Sequence, residues 1–165
     1  MTRSQWMIPR EHGAWMMLYA PMVVGLADGP GPLLPIWLDA VGLALLVTGA
    51  FGVRVPVGVL LSRRQSERGL ARRWVIRYSE LIVVGGLLVA RNPNRIAILI
   101  VAGVATALMV CHFALTRLRE HRTVFGELVG VAALTLTSAL GYFVALGGEW
   151  ARAGVLFALC FLFFG

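Results

Sequence analysis

Six apolar stretches run along this chain, separated by short clusters of charge, glycine and proline. They cover about 13–27, 33–53, 74–90, 96–116, 124–147 and 153–165. The longer ones match the roughly 20 residues that cross a hydrocarbon core as a helix. Barrel strands would alternate apolar and polar at every second residue, whereas these stretches are apolar on every face. Only a helix or a closed barrel satisfies its own backbone in lipid. The pattern therefore predicts an all-α, polytopic transmembrane helical bundle, a single domain over 1–165 with five complete spans. The sixth stretch covers only about 20 Å as a helix, which reads as the start of a span in a C-terminally truncated chain.

The breaks between stretches have their own chemistry. Pro9 suits the first turn of a helix, where its missing N–H has no partner, and Glu11 sits where the helix dipole favours an anion. Pro21 predicts a kink in the first span. Asp28-Gly-Pro-Gly-Pro and Arg91-Asn-Pro-Asn-Arg95 are turns, and 54–61 reads as a bent interfacial segment ahead of a basic run at 62–73. A second basic loop follows at 117–122.

With 59% hydrophobic and 14% charged residues, the chain lacks the polar material for the skin of a soluble domain. All fifteen basic residues are arginine, and the net charge is +7. They lie in short loops and form no basic folded domain, so they read as topology determinants and headgroup contacts and exclude nucleic acid as partner. With the N-terminus inside, twelve arginines fall on the inner side and Arg91, Arg95 and Arg152 on the outer. That asymmetry predicts a cytoplasmic N-terminus. Cys111 and Cys160 lie inside apolar stretches without metal-ligand spacing and read as packing residues. Nothing here calls for a metal or a cofactor.

The same topology gathers the charges at span ends on one face. The candidate ligand-binding residues are Arg10, Glu11, His12, Arg54, Arg77, Glu80 and Glu127, joined by His112 one turn from the end of the fourth span. Glu80 lies about 9 Å into the third span, where an ionised carboxylate needs a partner, and Arg77 three residues earlier is positioned to supply one. Gly126, Gly130, Ala133, Thr137 and Gly141 recur on one helix face, a stripe suited to close helix packing. Thr135, Thr137 and Ser138 bond to backbone carbonyls and need no ligand. Asp39 falls near the other end of its span, to reach water or pair with Arg91 or Arg95. Arginines around a shallow intramembrane cavity suit phosphate or carboxylate. Apolar walls beside them suit the tail of an anionic amphiphile. Membrane lipid or such a small molecule is therefore the expected partner.

The opening Pro9-Arg10-Glu11-His12-Gly13-Ala14-Trp15, then Met17-Leu18-Tyr19-Ala20-Pro21 and Gly25-Leu26, resembles the start of the YwiC-like family of bacterial membrane proteins. Arg54-x-Pro56 before a basic loop and Gly126-Glu127-Leu128 are similar to that family too. The resemblance implies a multi-pass protein of the bacterial inner membrane, of uncharacterised role, with members longer than this chain. A more distant likeness is to UbiA-type prenyltransferases, through Arg10, Pro21 and Gly25-Leu26. Their chemistry needs aspartate-rich motifs that hold magnesium against a diphosphate, whereas 52–64 here contains no acid. Three functional readings follow: a binder of an anionic amphiphile or headgroup, a UbiA-like transferase, and a small-solute or proton-coupled transporter using Glu80 and Glu127.

Overall fold

The computed structural model describes residue 7 and residues 12–62, 67–117 and 124–165. Among these, the regular structure is helical: α1 (His12–Asp28), α2 (Leu33–Leu60), α3 (Arg68–Val89), α4 (Arg95–Arg117), α5 (Val124–Thr135), α6 (Thr137–Val144) and α7 (Trp150–Phe164). Three stretches are long and apolar enough to cross a membrane: Ile36–Leu60, Arg95–Leu115, and Val124–Val144, which joins α5 to α6. This is an integral membrane protein. The expected five spans include two that fall short of that measure. α1 has 17 residues, and α3 carries Arg68, Arg72, Arg73 and Arg77 in its first half and Glu80 just beyond it.

Three elements depart from the sequence pattern. The segment expected to bend at 54–61 is a continuation of α2, with Pro56 buried inside the helix. Proline removes one backbone bond, here to the Gly52 carbonyl, and the packing of α2 along α3 outweighs that loss. α3 begins at Arg68, before the apolar stretch does, because its solvated first turns continue the same helix. The fifth span is interrupted at Leu136. Thr135 Oγ donates to the Val131 carbonyl at 2.9 Å, Thr137 Oγ to Leu134 at 2.7 Å and Ser138 Oγ to Thr135 at 2.8 Å. Such hydroxyl bonds compete with the ladder and bend helices.

α2 and α3 pair along their lengths as a hairpin, α1 packs on α6, α4 on α5, and α7 covers α5, α6 and α1. Leu43, Phe51, Phe143 and Val144 lie at the centre of the shared core. The stripe of small residues faces inward as expected. Gly126 and Ala133 are buried, Thr137 Oγ also donates to Leu18 of α1 at 2.8 Å, and Gly141 meets the α1 backbone.

One end of the bundle is held by amides. Asn92, 1% exposed, donates to Asp39 at 2.8 Å and to the Val144 carbonyl at 3.0 Å, and its own Oδ1 accepts the Asn94 N–H at 2.9 Å. Asn94 donates to Phe143 and Gly147 at 3.1 and 2.7 Å. Asp39 is thus held by an asparagine rather than by Arg91 or Arg95. At the same end Arg152 makes a two-pronged pair with Asp28 at 2.7 and 2.8 Å. The opposite end gathers the starts of α1, α3 and α5 with the ends of α2, α4 and α7, and holds Arg54, Arg68, Arg72, Arg73 and Arg77.

Candidate functional site

At that arginine-rich end a cavity of about 380 Å³ opens between five helices. Ala14 and Met17 come from α1, Arg54 from α2, Met109 and His112 from α4, Glu127 and Gly130 from α5, and Phe164 from α7. Its polar side chains are one arginine, one histidine and one carboxylate.

Each is set by its neighbours. The Arg54 guanidinium carbon lies 4.0 Å from the centre of the Phe51 ring, a cation–π contact. Phe51 is buried and meets the Trp15 ring edge-on at 4.8 Å, and Trp15 stacks on Tyr19 at 6.0 Å. Tyr19 hydrogen-bonds Thr48, whose hydroxyl donates to the Ala44 carbonyl, so the Tyr19 hydroxyl is the donor between them. This aromatic ladder fixes α1 against α2 and holds Arg54 at the rim.

His112 Nδ1 lies 3.0 Å from the Gly126 carbonyl oxygen. A carbonyl only accepts, so Nδ1 carries the proton, and Nε2 is the basic nitrogen when the ring is neutral. The imidazole packs against Gly130, where an added Cβ would stand 3.0 Å from Cε1 and 3.1 Å from Nδ1. Close approach of α4 and α5 thus depends on glycine at this position. Glu127, one turn earlier and exposed, lines the same cavity.

A second, apolar groove of about 510 Å³ runs from this cavity between α2 and α4, floored by Leu134 and Leu140. Arg54, Met109 and Leu134 line both spaces. A cation therefore stands where a polar chamber meets an apolar slot.

A protein-family model described as YwiC-like protein matches residues 8–142. The chain belongs to the YwiC-like family. No curated protein and no solved structure matches it. Arg54, His112, Glu127 and Gly130 all fall within the YwiC-like region, so the cavity's polar side chains are part of what this family model covers.

The structure brings together some of the residues singled out in this YwiC-like sequence and separates others. Arg54 and Glu127 share the cavity with His112. Arg77 and Glu80 are exposed on α3 and do not line it. Among the described residues they form no ion pair with each other, and Arg77 lies over the Trp74 ring at 5.5 Å instead. The inner face of α3 is Ala71, Tyr78 and Gly85. At 3.6 residues per turn, Arg77 stands about 100° and Glu80 about 200° round from Tyr78. Arg10 and Glu11, and the His12 side chain, lie outside the described residues. The preceding Met7 is tied to α3, its carbonyl accepting from the Tyr78 hydroxyl at 3.0 Å. Cys160 is buried as expected, whereas Cys111 is exposed, because α4 turns that side away from the bundle. Among the described residues no group of three or more His, Cys, Asp or Glu is placed to hold a metal ion. The groove went unread in the sequence, because its lining is spread over six helices.

Proposed function

We propose that this YwiC-like protein binds an anionic amphiphile at the cytoplasmic side of a bacterial inner membrane, with the N-terminus inside. The arginine-rich end faces the cytoplasm in this reading, as the excess of twelve arginines over three supports. The observation that carries it is the position of Arg54, shared by the polar cavity and the apolar groove. A phosphate or carboxylate head sits against the Arg54 guanidinium with His112 and Glu127 around it, and the tail follows the groove. Arg10, Glu11 and His12, which precede the first apolar stretch in the sequence, are proposed to supply further head contacts. Bidentate arginine contacts to such oxyanions are short and strong.

Neither the transferase nor the transporter reading has a comparable support. Among the described residues of the stretch where a UbiA-type enzyme needs acids, Arg54 is the one that lines the cavity. The two carboxylates that a transporter would use do not share a site, since Glu127 lines the cavity and Glu80 is exposed on α3.

Mass spectrometry of lipids co-purified with the protein and with Arg54→Gln tests the proposal. One anionic amphiphile is enriched over bulk membrane lipid with the native protein and depleted in the variant. Bulk phospholipid in membrane proportion from both proteins overturns it. Labelling of Ser66→Cys from the cytoplasmic side alone checks the orientation.

A further inference from the structure

We infer that the groove between α2 and α4 holds a single hydrocarbon tail about one leaflet long, and that Ala102 at its deep end sets the tail's length. This rests on the head-binding reading above and deepens it, naming the ligand as a single-chain amphiphile.

The groove follows α2 from Leu46 to Val57 and α4 from Ala102 to Phe113, eleven residue steps on each. Eleven steps of helix cover about 16 Å. Arg54 lies eight steps from Leu46, so a tail starting beside it has about 12 Å of groove, most of the roughly 15 Å that one leaflet of an about 30 Å hydrocarbon core provides. The volume agrees with one tail. About 510 Å³, divided by roughly 30 Å³ for a water-sized group, accommodates about seventeen such groups. That is one tail with its linkage, and well short of a two-tailed phospholipid. The α4 wall is small only toward the deep end, at Ala102, Ala105 and Thr106, with Ala50 on α2, and becomes bulky toward Arg54 at Met109, Val110 and Phe113. Ala102 packs against the bundle core, so a larger side chain there fills the deep end first.

The experiment titrates purified protein in a neutral detergent with n-alkyl phosphates from octyl to hexadecyl, with two-tailed phosphatidic acid beside them. Affinity rises severalfold with each added methylene and levels off near dodecyl, and phosphatidic acid binds at least tenfold more weakly than dodecyl phosphate. Ala102→Phe moves the plateau to a shorter chain. Ala102→Leu, a smaller insertion, moves it less and serves if the Phe variant fails to fold. A steady climb through hexadecyl in every variant overturns the inference, as does equal binding of phosphatidic acid. So does an alkyl phosphate that fails to bind a protein running as a dimer, because a second copy then covers the slot. The two readings fail separately. If Arg54→Gln leaves alkyl phosphate affinity unchanged while n-alkanols keep the plateau, the head reading falls and the gauge stands. Arg54-dependent binding without a plateau does the reverse.

Discussion

Gly25 and Gly141 face one another where α1 crosses α6. A Cβ on Gly25 would stand 1.9 Å from the Ser138 carbonyl oxygen, and one on Gly141 would stand 2.4 Å from that of Met22. Neither contact is with a side chain that could swing aside, so the two backbones must separate to admit a methyl. Gly25→Ala or Gly141→Ala is expected to cost about 1–3 kcal/mol, read as lowered resistance to denaturation in detergent. Gly103→Ala is the control, because nothing lies within 4 Å of that position. Equal stability of all three variants would remove this crossing as a determinant of the fold.

The buried amide bracket predicts a second stability effect. Asn92→Ala strips partners from Asp39, from the Val144 carbonyl and from the Asn94 N–H. Burial makes such losses costly, and the expected destabilisation is about 2–4 kcal/mol. Asp39→Asn retains an acceptor and is expected to be mild, while Arg91→Gln is expected to be silent. Thermal unfolding of the three variants side by side ranks them.

Acid acts at the same end of the bundle. The Arg152 guanidinium, hydrogen-bonded to Asp28, holds that carboxyl below its ordinary value of 3.8. A depressed folded value means the pair stabilises the protein above the unfolded pKa and ceases to do so as pH falls through the folded one. Unfolding measured from pH 6 downward, on the order of four pH units, is expected to show an acid-sensitive component that Asp28→Asn removes. Arg152 is exposed and Asp28 only partly covered, so the component is small. An identical acid profile in the variant would assign the sensitivity elsewhere.

Gly130→Ala probes the candidate site without touching a charged group. The added methyl meets the His112 ring and displaces it from its bond to Gly126. Dodecyl phosphate affinity is expected to drop about threefold to tenfold, in the range of one polar contact. Gly103→Ala, on the outer side of α4, is expected to leave affinity unchanged.

Leu146 has φ of 64°, among the described residues the one non-glycine with a positive value. This left-handed conformation closes α6, with Gly147 N–H bonded to the Tyr142 carbonyl at 2.9 Å. Leu146→Gly relieves about 1 kcal/mol of backbone strain, offset in part by lost contact of its half-exposed side chain. A melting temperature at or slightly above that of the native protein is the expected result, and a large drop would show that the side chain matters more than the backbone.

The sequence shows heights along the helices well and directions around them poorly. Apolar stretches located the helices, because burial in lipid demands unbroken runs of apolar residues. Charges at the ends of those runs located the arginine-rich end. Depth alone grouped Glu80 with Glu127, yet Glu80 stands on the far side of α3. The inner face of α3 is written in Ala71, Tyr78 and Gly85, and the four arginines of its first half obscure that spacing. Pro56 predicts a bend because a proline in isolation breaks a helix, and the packing of α2 along α3 overrides it. The Asn92 bracket left only the Asn-Pro-Asn turn as a signal, since its partners lie 53 and 52 residues away.

Ala50, Thr106 and Val110 of the slot between α2 and α4 are exposed, so the slot also opens on the flank of the bundle. An amphiphile of the kind proposed would exchange through that flank by two-dimensional diffusion within the bilayer, and its occupancy would follow mole fraction among the surrounding lipids. Dilution of the cell's aqueous contents would leave that occupancy unchanged, and a change in membrane composition would shift it at once.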